Sequence, residues 1–126
     1  MSGPLLEFAT AGEAAQAMAK GSTTDLYRAV GVREFTNVMA NQAFTAGGNS
    51  LEARQFATTL EEALNYADTD PSKVAILKAT VPTDILPQLE FSNSIDPHIF
   101  QNGVFTVQPG VQPLFNQSIQ SITHVY

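Results

Sequence analysis

Cysteine is absent from the 126-residue sequence. This absence excludes disulfides, thiolate nucleophiles and cysteine-based zinc sites, and it leaves the redox compartment open. The two histidines, His98 and His124, lack the HExxH spacing of a helical zinc site. We therefore expect no metal centre.

Positive charge is also scarce, because 6 Lys and Arg residues stand against 12 Asp and Glu residues, for a net charge of −6. A polyanion is bound mainly through cations that displace its counterions. Nucleic acid is thus disfavoured as a substrate unless Arg28, Arg33 and Arg54 form a local patch, and a protein target is favoured. No apolar run reaches the roughly 18 residues of a spanning helix, so no membrane segment is expected.

The residues that are present describe one globular domain, with 44% hydrophobic and 14% charged residues. Residues 1–24 are predicted to be an N-terminal helical connector, with an Ala-rich helix over Leu5–Lys20. Residues 25–126 are predicted to form the domain itself.

The first predicted strand, Asp25–Val30, carries Arg28 between apolar side chains. A cation at this position is explained equally well by an edge strand that faces water and by a function. Helical spacing follows over Arg33–Gln42, and the loop that contains Gly47 and Gly48 is a plausible lid.

The clearest stretch is Asn49–Leu64, where a strand turns directly into a helix. Arg54–Thr58 alternates polar and apolar residues, and Thr59 with Glu62 matches a capping box. The helix is predicted from Leu60, with Glu61, Glu62 and Asn65 facing outward. The junction is explained either as a plain capped helix or as a site where hydroxyl and N–H groups meet an anion or a ribose.

Three further strands are predicted: a central one over Lys73–Val81, then Val104–Val107 and Ile119–Val125. Pro82–Pro87 is predicted as a short helix or turn, Glu90–Gly103 as an irregular loop and Val111–Gln117 as a turn.

Three segments, taken in this order, resemble the ADP-ribosyltransferase-like fold. They are Leu26–Val30 with Glu34–Phe35, Asn49–Ala63 with Tyr66–Ala67, and Phe105–Pro109 with Asn116. The resemblance is closest to the C-terminal toxin domains of bacterial polymorphic toxins of the Rhs and contact-dependent inhibition kind. It implies a compact α+β fold, with two small packed mixed or antiparallel sheets and peripheral helices.

The resemblance also implies a site for NAD, which is the substrate in that family. By this likeness Arg28 holds a phosphate or ribose, Phe56 is the ring-stacking wall and Thr58 supplies a hydroxyl, with Tyr27 and Thr59 beside them. The family places a glutamate late in the chain, whereas the last glutamate here is Glu90. Gln108, Gln101 or Asp96 is then expected to contact the ribose. The resemblance therefore implies Arg28, Thr58 and Gln108 as the catalytic residues.

The function implied is that of an NAD-dependent mono-ADP-ribosyltransferase toxin, secreted or delivered into a target cell's cytoplasm as part of a larger protein. A cognate immunity protein with basic residues at its interface is the expected partner. Two alternatives stay open from the residues. One is a metal-independent ribonuclease that uses His98 or His124 with Arg28 or Lys78, and the other is a non-catalytic binding module.

Overall fold

The computed structural model describes residues 22–44 and 53–126. These described residues contain six strands, three α-helices and two 3₁₀ helices. They are β1 (Thr23–Val30), α1 (Val32–Asn41), β2 (Arg54–Ala57), α2 (Leu60–Ala67), β3 (Ala75–Pro82), a 3₁₀ helix (Thr83–Gln88), β4 (Glu90–Ser92), β5 (Val104–Val107), a 3₁₀ helix (Pro109–Val111), α3 (Gln112–Ser118) and β6 (Ser121–His124).

The described strands pair into one antiparallel sheet in the order β4-β5-β2-β1-β3-β6. The predicted α+β class is therefore confirmed, with a single six-stranded sheet where two sheets were predicted. β1 and β3 are interior strands, as their apolar composition favours. The edge-strand explanation of Arg28 is wrong, since β1 lies between β2 and β3.

The sheet is weakest at its centre. β1 pairs with β3 along eight residues, from Thr23 opposite Pro82 to Val30 opposite Ala75. β1 and β2 share one register pair, Tyr27 with Ala57. The two strands therefore separate beyond that pair, and the sheet consists of two three-stranded halves.

Both faces of the sheet are covered, because successive side chains of a strand point to opposite sides. One face packs against α1 and α3 around a cluster of three rings, with centroid distances of 5.0 Å between Phe44 and Phe56 and 5.2 Å between Phe56 and Phe115. The other face packs against α2 and the loop before β5, around Ala29, Ile76 and Phe100.

The start of α2 confirms the predicted N-cap. The Thr59 side chain accepts a hydrogen bond from the Glu62 backbone N–H at 3.2 Å. The prediction that Glu62 faces outward is wrong, because Glu62 is buried and its carboxylate accepts bonds from the Asn102 backbone N–H and side-chain amide at 3.2 and 2.7 Å. Glu61 and Asn65 are exposed, as predicted.

Two elements differ from the sequence-based expectation. The predicted irregular loop contains β4, whose Phe91 ring packs on Phe105 at 5.0 Å. The predicted turn at Val111–Gln117 is mostly helix α3, in which Pro113 occupies the first turn and Phe115 is buried. Both elements are short, so side-chain packing decides them more than local periodicity does. The connector helix and the glycine lid lie outside the described residues.

Candidate functional site

A cleft of about 310 Å³ opens where β1 and β2 separate. Tyr27, Arg28 and Ala29 line it from β1, and α2 contributes Ala63 and Tyr66. Glu34 comes from α1, and Ala53, Gln55, Phe56 and Ala57 come from β2 and the residue before it. Lys73 precedes β3, Phe100 precedes β5, and Val104 is the first residue of β5. The cleft thus lies at the junction of the two halves of the sheet.

Arg28 is held in this cleft by Glu34 through a bidentate ion pair. Nε donates to Oε2 at 2.6 Å and Nη2 donates to Oε1 at 3.0 Å. Both side chains are largely buried, with 15% and 19% exposure. Because two parallel bonds fix the plane of the guanidinium, its orientation is well defined.

The same guanidinium spans the gap between the separated strands. Arg28 Nη1 donates to the backbone carbonyl of Gln55 at 3.1 Å, in the region where β1 and β2 no longer pair. Its charge also lies 6.0 Å from the centroid of the Phe56 ring, a cation–π distance. A second arginine lies nearby, with Arg54 Nε 3.7 Å from Glu34 Oε2.

The aromatic wall of the cleft differs from the prediction. Phe56 has 0% exposure inside its cluster of three rings, so no face of it is accessible to a ligand. Tyr66 and Phe100 lie side by side in the lining instead, with ring centroids 5.6 Å apart. The predicted residue Tyr27 also lines the cleft and is half-buried.

Lys73 brings a second cation to the lining. It follows a tight turn in which Asp70 Oδ1 accepts bonds from the Ser72 hydroxyl at 2.7 Å and backbone N–H at 3.0 Å. These two bonds favour the ionised carboxylate and so lower the pKa of Asp70. The Lys73 backbone N–H bonds the Asp70 carbonyl at 3.0 Å. In the described lining, two cations therefore face one carboxylate, Glu34.

Thr58 and Thr59 lie at the end of β2 and have different surroundings. Thr59 is occupied as the N-cap of α2. The Thr58 hydroxyl is buried and has no hydrogen-bond partner among the residues that the structure describes. Neither belongs to the described lining of the cleft.

Gln108 is not brought to this site. β5 runs antiparallel to β2, with Val104 opposite Ala57 and Val107 opposite Arg54. Gln108 therefore lies at the opposite end of β5 from Thr58, about 17 Å away along the strands at ~3.4 Å per residue. Its amide donates to Glu90 at 2.9 Å instead.

The other polar candidates are also outside the described lining. Asp96, His98 and Gln101 are exposed in the segment before β5. His124 lies on β6, where its ring contacts Phe35 edge-on at 4.8 Å. Within residues 22–44 and 53–126, no three His, Cys, Asp or Glu side chains cluster as metal ligands would.

Several lining residues were not singled out from the sequence. Tyr66 and Glu34 lie in the segments that carry the resemblance, and Lys73 is the first residue of a predicted strand; none of the three has a sequence signal of its own. Phe100 had no signal, since an aromatic residue in an irregular loop has no periodicity to mark its burial.

The comparisons with known proteins add no relative, because no family model, curated protein or solved structure matches this chain. In the part of the chain that the structure describes, no helix combines the length and apolar character needed to cross a bilayer.

Proposed function

We propose that this chain is an NAD-dependent ADP-ribosyltransferase-like toxin domain that modifies a protein in a target cell. The observation that carries the proposal is one cleft that joins two cations, Arg28 and Lys73, to an aromatic wall in a protein of net charge −6. The sheet is single, and the one register pair between β1 and β2 makes a weak junction between its two three-stranded halves; this junction supports the proposal, because the fold is expected to have two small sheets.

The cations suit the pyrophosphate of NAD. Arginine has five N–H donors, and three of those of Arg28 are used in its bonds to Glu34 and Gln55. One N–H on each terminal nitrogen is left for phosphate oxygens among the described contacts. Lys73 supplies a second positive charge at the same cleft.

The aromatic residues suit the nicotinamide ring. In NAD this ring carries a positive charge, which the face of an aromatic side chain attracts. Tyr66, which is half-buried, and Phe100, which is 8% exposed, lie side by side in the lining. We therefore assign them the stacking role that the resemblance implied for Phe56.

In the proposed reaction the bond between ribose C1′ and the nicotinamide nitrogen breaks, and its electron pair leaves on the nitrogen. The cation that develops on the ribose is stabilised by a nearby carboxylate, and an acceptor atom then bonds to C1′ and loses its proton. Glu34 is the carboxylate in the described lining, and we assign this role to it in place of Gln108.

The test is incubation with NAD labelled on its adenylate, followed by assays of nicotinamide release and of label on lysate proteins. We expect both, and we expect Arg28→Lys to lower them at least tenfold because lysine cannot form the bidentate pair. Arg33→Lys is the matched control, since Arg33 is an exposed arginine on α1 outside the described lining. The absence of nicotinamide release, of label and of any NAD-dependent rise in melting temperature would exclude the proposal.

The same samples separate the two alternatives. Cleavage of added tRNA without NAD would favour a ribonuclease, although neither histidine is in the described lining of the cleft. A stable complex with a lysate protein, with no turnover of NAD or RNA, would favour a binding module.

We also propose a cognate immunity protein with a positively charged contact surface, because the net charge of −6 would attract one. Delivery into the target cell as part of a larger toxin belongs to the same proposal. The association rate of such a partner is expected to fall as salt is raised. A rate independent of ionic strength between about 0.05 and 0.5 M would contradict the charge argument.

A further inference from the structure

A second cleft, of about 400 Å³, lies beside α2 and shares Lys73 with the first. Glu61, Asn65 and Asp68 line it from the outward side of α2, since residues at i, i+4 and i+7 lie on one helix face. Ile76 of β3 and the aromatic Tyr126 are also in its lining. The side chains of Ala63 and Tyr66 belong to the first cleft, so the two clefts flank the helix.

The first cleft is too small to enclose the whole of NAD. At about 310 Å³ it lies near the lower end of the ~300–1,000 Å³ range of pockets that enclose a drug-sized ligand. NAD consists of two nucleotides joined by a pyrophosphate and exceeds that ligand size. One half of NAD fills the first cleft, and the other half needs a separate surface.

We propose that the second cleft binds the adenosine half of NAD, with the pyrophosphate at Lys73 between the two clefts. This inference rests on the proposed use of NAD. Lys73 is in the lining of both cavities, and a linker between two bound halves must pass between them. Of the last four carbonyls of α2, those of Leu64, Tyr66 and Ala67 accept backbone hydrogen bonds at 2.9 to 3.1 Å, which reduces the number of unpaired oxygens that would face a phosphate.

The polar groups of the second cleft suit an adenosine whose ribose carries no 2′-phosphate. The carboxylates of Glu61 and Asp68 can accept bonds from ribose hydroxyls, and the Asn65 amide can pair with the edge of adenine. A carboxylate near the ribose accepts a free 2′-hydroxyl and repels a 2′-phosphate. The cleft therefore selects NAD over NADP.

The experiment measures dissociation constants by calorimetry for NAD, NADP and nicotinamide mononucleotide. We expect NAD to bind at least tenfold more tightly than the mononucleotide and at least tenfold more tightly than NADP. Lys73→Met is expected to weaken NAD binding about tenfold, because a charge-assisted contact is lost. Lys78→Met is the matched control, as Lys78 on β3 is outside the described lining of both clefts.

A second pair of variants tests the selectivity. Asp68→Asn is expected to narrow the preference for NAD over NADP at least threefold, whereas Asp84→Asn, at an exposed aspartate outside the described lining of both clefts, leaves it unchanged. Both substitutions are at exposed positions, so they test the cleft without a folding defect.

The outcomes separate this inference from the proposed function. If the mononucleotide binds as tightly as NAD, or if NADP matches NAD, the adenosine site is wrong while the proposed function stands. If neither NAD nor the mononucleotide binds, the adenosine site and the proposed function are both wrong.

Discussion

Substitution of Arg28 by methionine tests whether this arginine holds the two halves of the sheet together. The change removes three hydrogen bonds, two to the Glu34 carboxylate and one to the Gln55 carbonyl. Methionine retains the apolar stem over Phe56, so the loss is mainly one of charge and hydrogen bonding.

The magnitude follows from the burial of the pair. Removing one partner of a buried ion pair costs about 3–5 kcal/mol, because the other charge is left without compensation. Here each side chain is 15–19% exposed, and Arg54 Nε is 3.7 Å from the remaining carboxylate. We therefore expect a loss of about 2–3 kcal/mol in the free energy of unfolding, or roughly 8–12 °C in melting temperature for a domain of this size.

Urea unfolding followed by far-ultraviolet circular dichroism measures this loss, and it suits a chain without tryptophan. Glu34→Gln and the double variant complete a mutant cycle, with an expected coupling of about 1–2 kcal/mol. Arg33→Met is the control for a surface arginine and is expected to change stability by less than about 0.5 kcal/mol. If Arg28→Met unfolds like that control, the guanidinium does not hold the strands together.

Three other substitutions test individual contacts by the same unfolding assay. Thr59→Ala removes the N-cap of α2 and is expected to cost about 1 kcal/mol, whereas no change would mean that the helix start has another partner. Glu62→Ala removes the acceptor of both Asn102 bonds at an expected cost of about 1–3 kcal/mol, and a neutral effect would show that this buried carboxylate is dispensable. Gly103→Ala places a Cβ 2.3 Å from the Phe91 ring at a φ of +89°, with an expected loss of at least about 1 kcal/mol, and wild-type stability would contradict this backbone geometry.

Local pattern predicted much of the secondary structure. The strand around Arg28, the helix after it, the strand before Thr59 and the apolar strand β3 all have strong periodicity or composition, and the Thr59 cap has a local sequence signature. Each of these elements is determined mainly by residues that are close together in the chain, so a local sequence pattern is sufficient to predict it. The short elements β4 and α3 depend on the packing of Phe91 and Phe115, which local pattern does not encode.

The features of the candidate site likewise divide into those that the sequence determines and those that depend on tertiary structure. The sequence by itself determined that the protein is acidic and lacks cysteine, and that an arginine lies inside an apolar strand. Tertiary structure alone decided that Glu34 pairs with this arginine, that Tyr66 and Phe100 line the cleft while the Phe56 ring is fully buried, and that Gln108 lies at the far end of β5. The physical reason is register: strand pairing and helix packing fix which distant side chains meet, and a single sequence records neither.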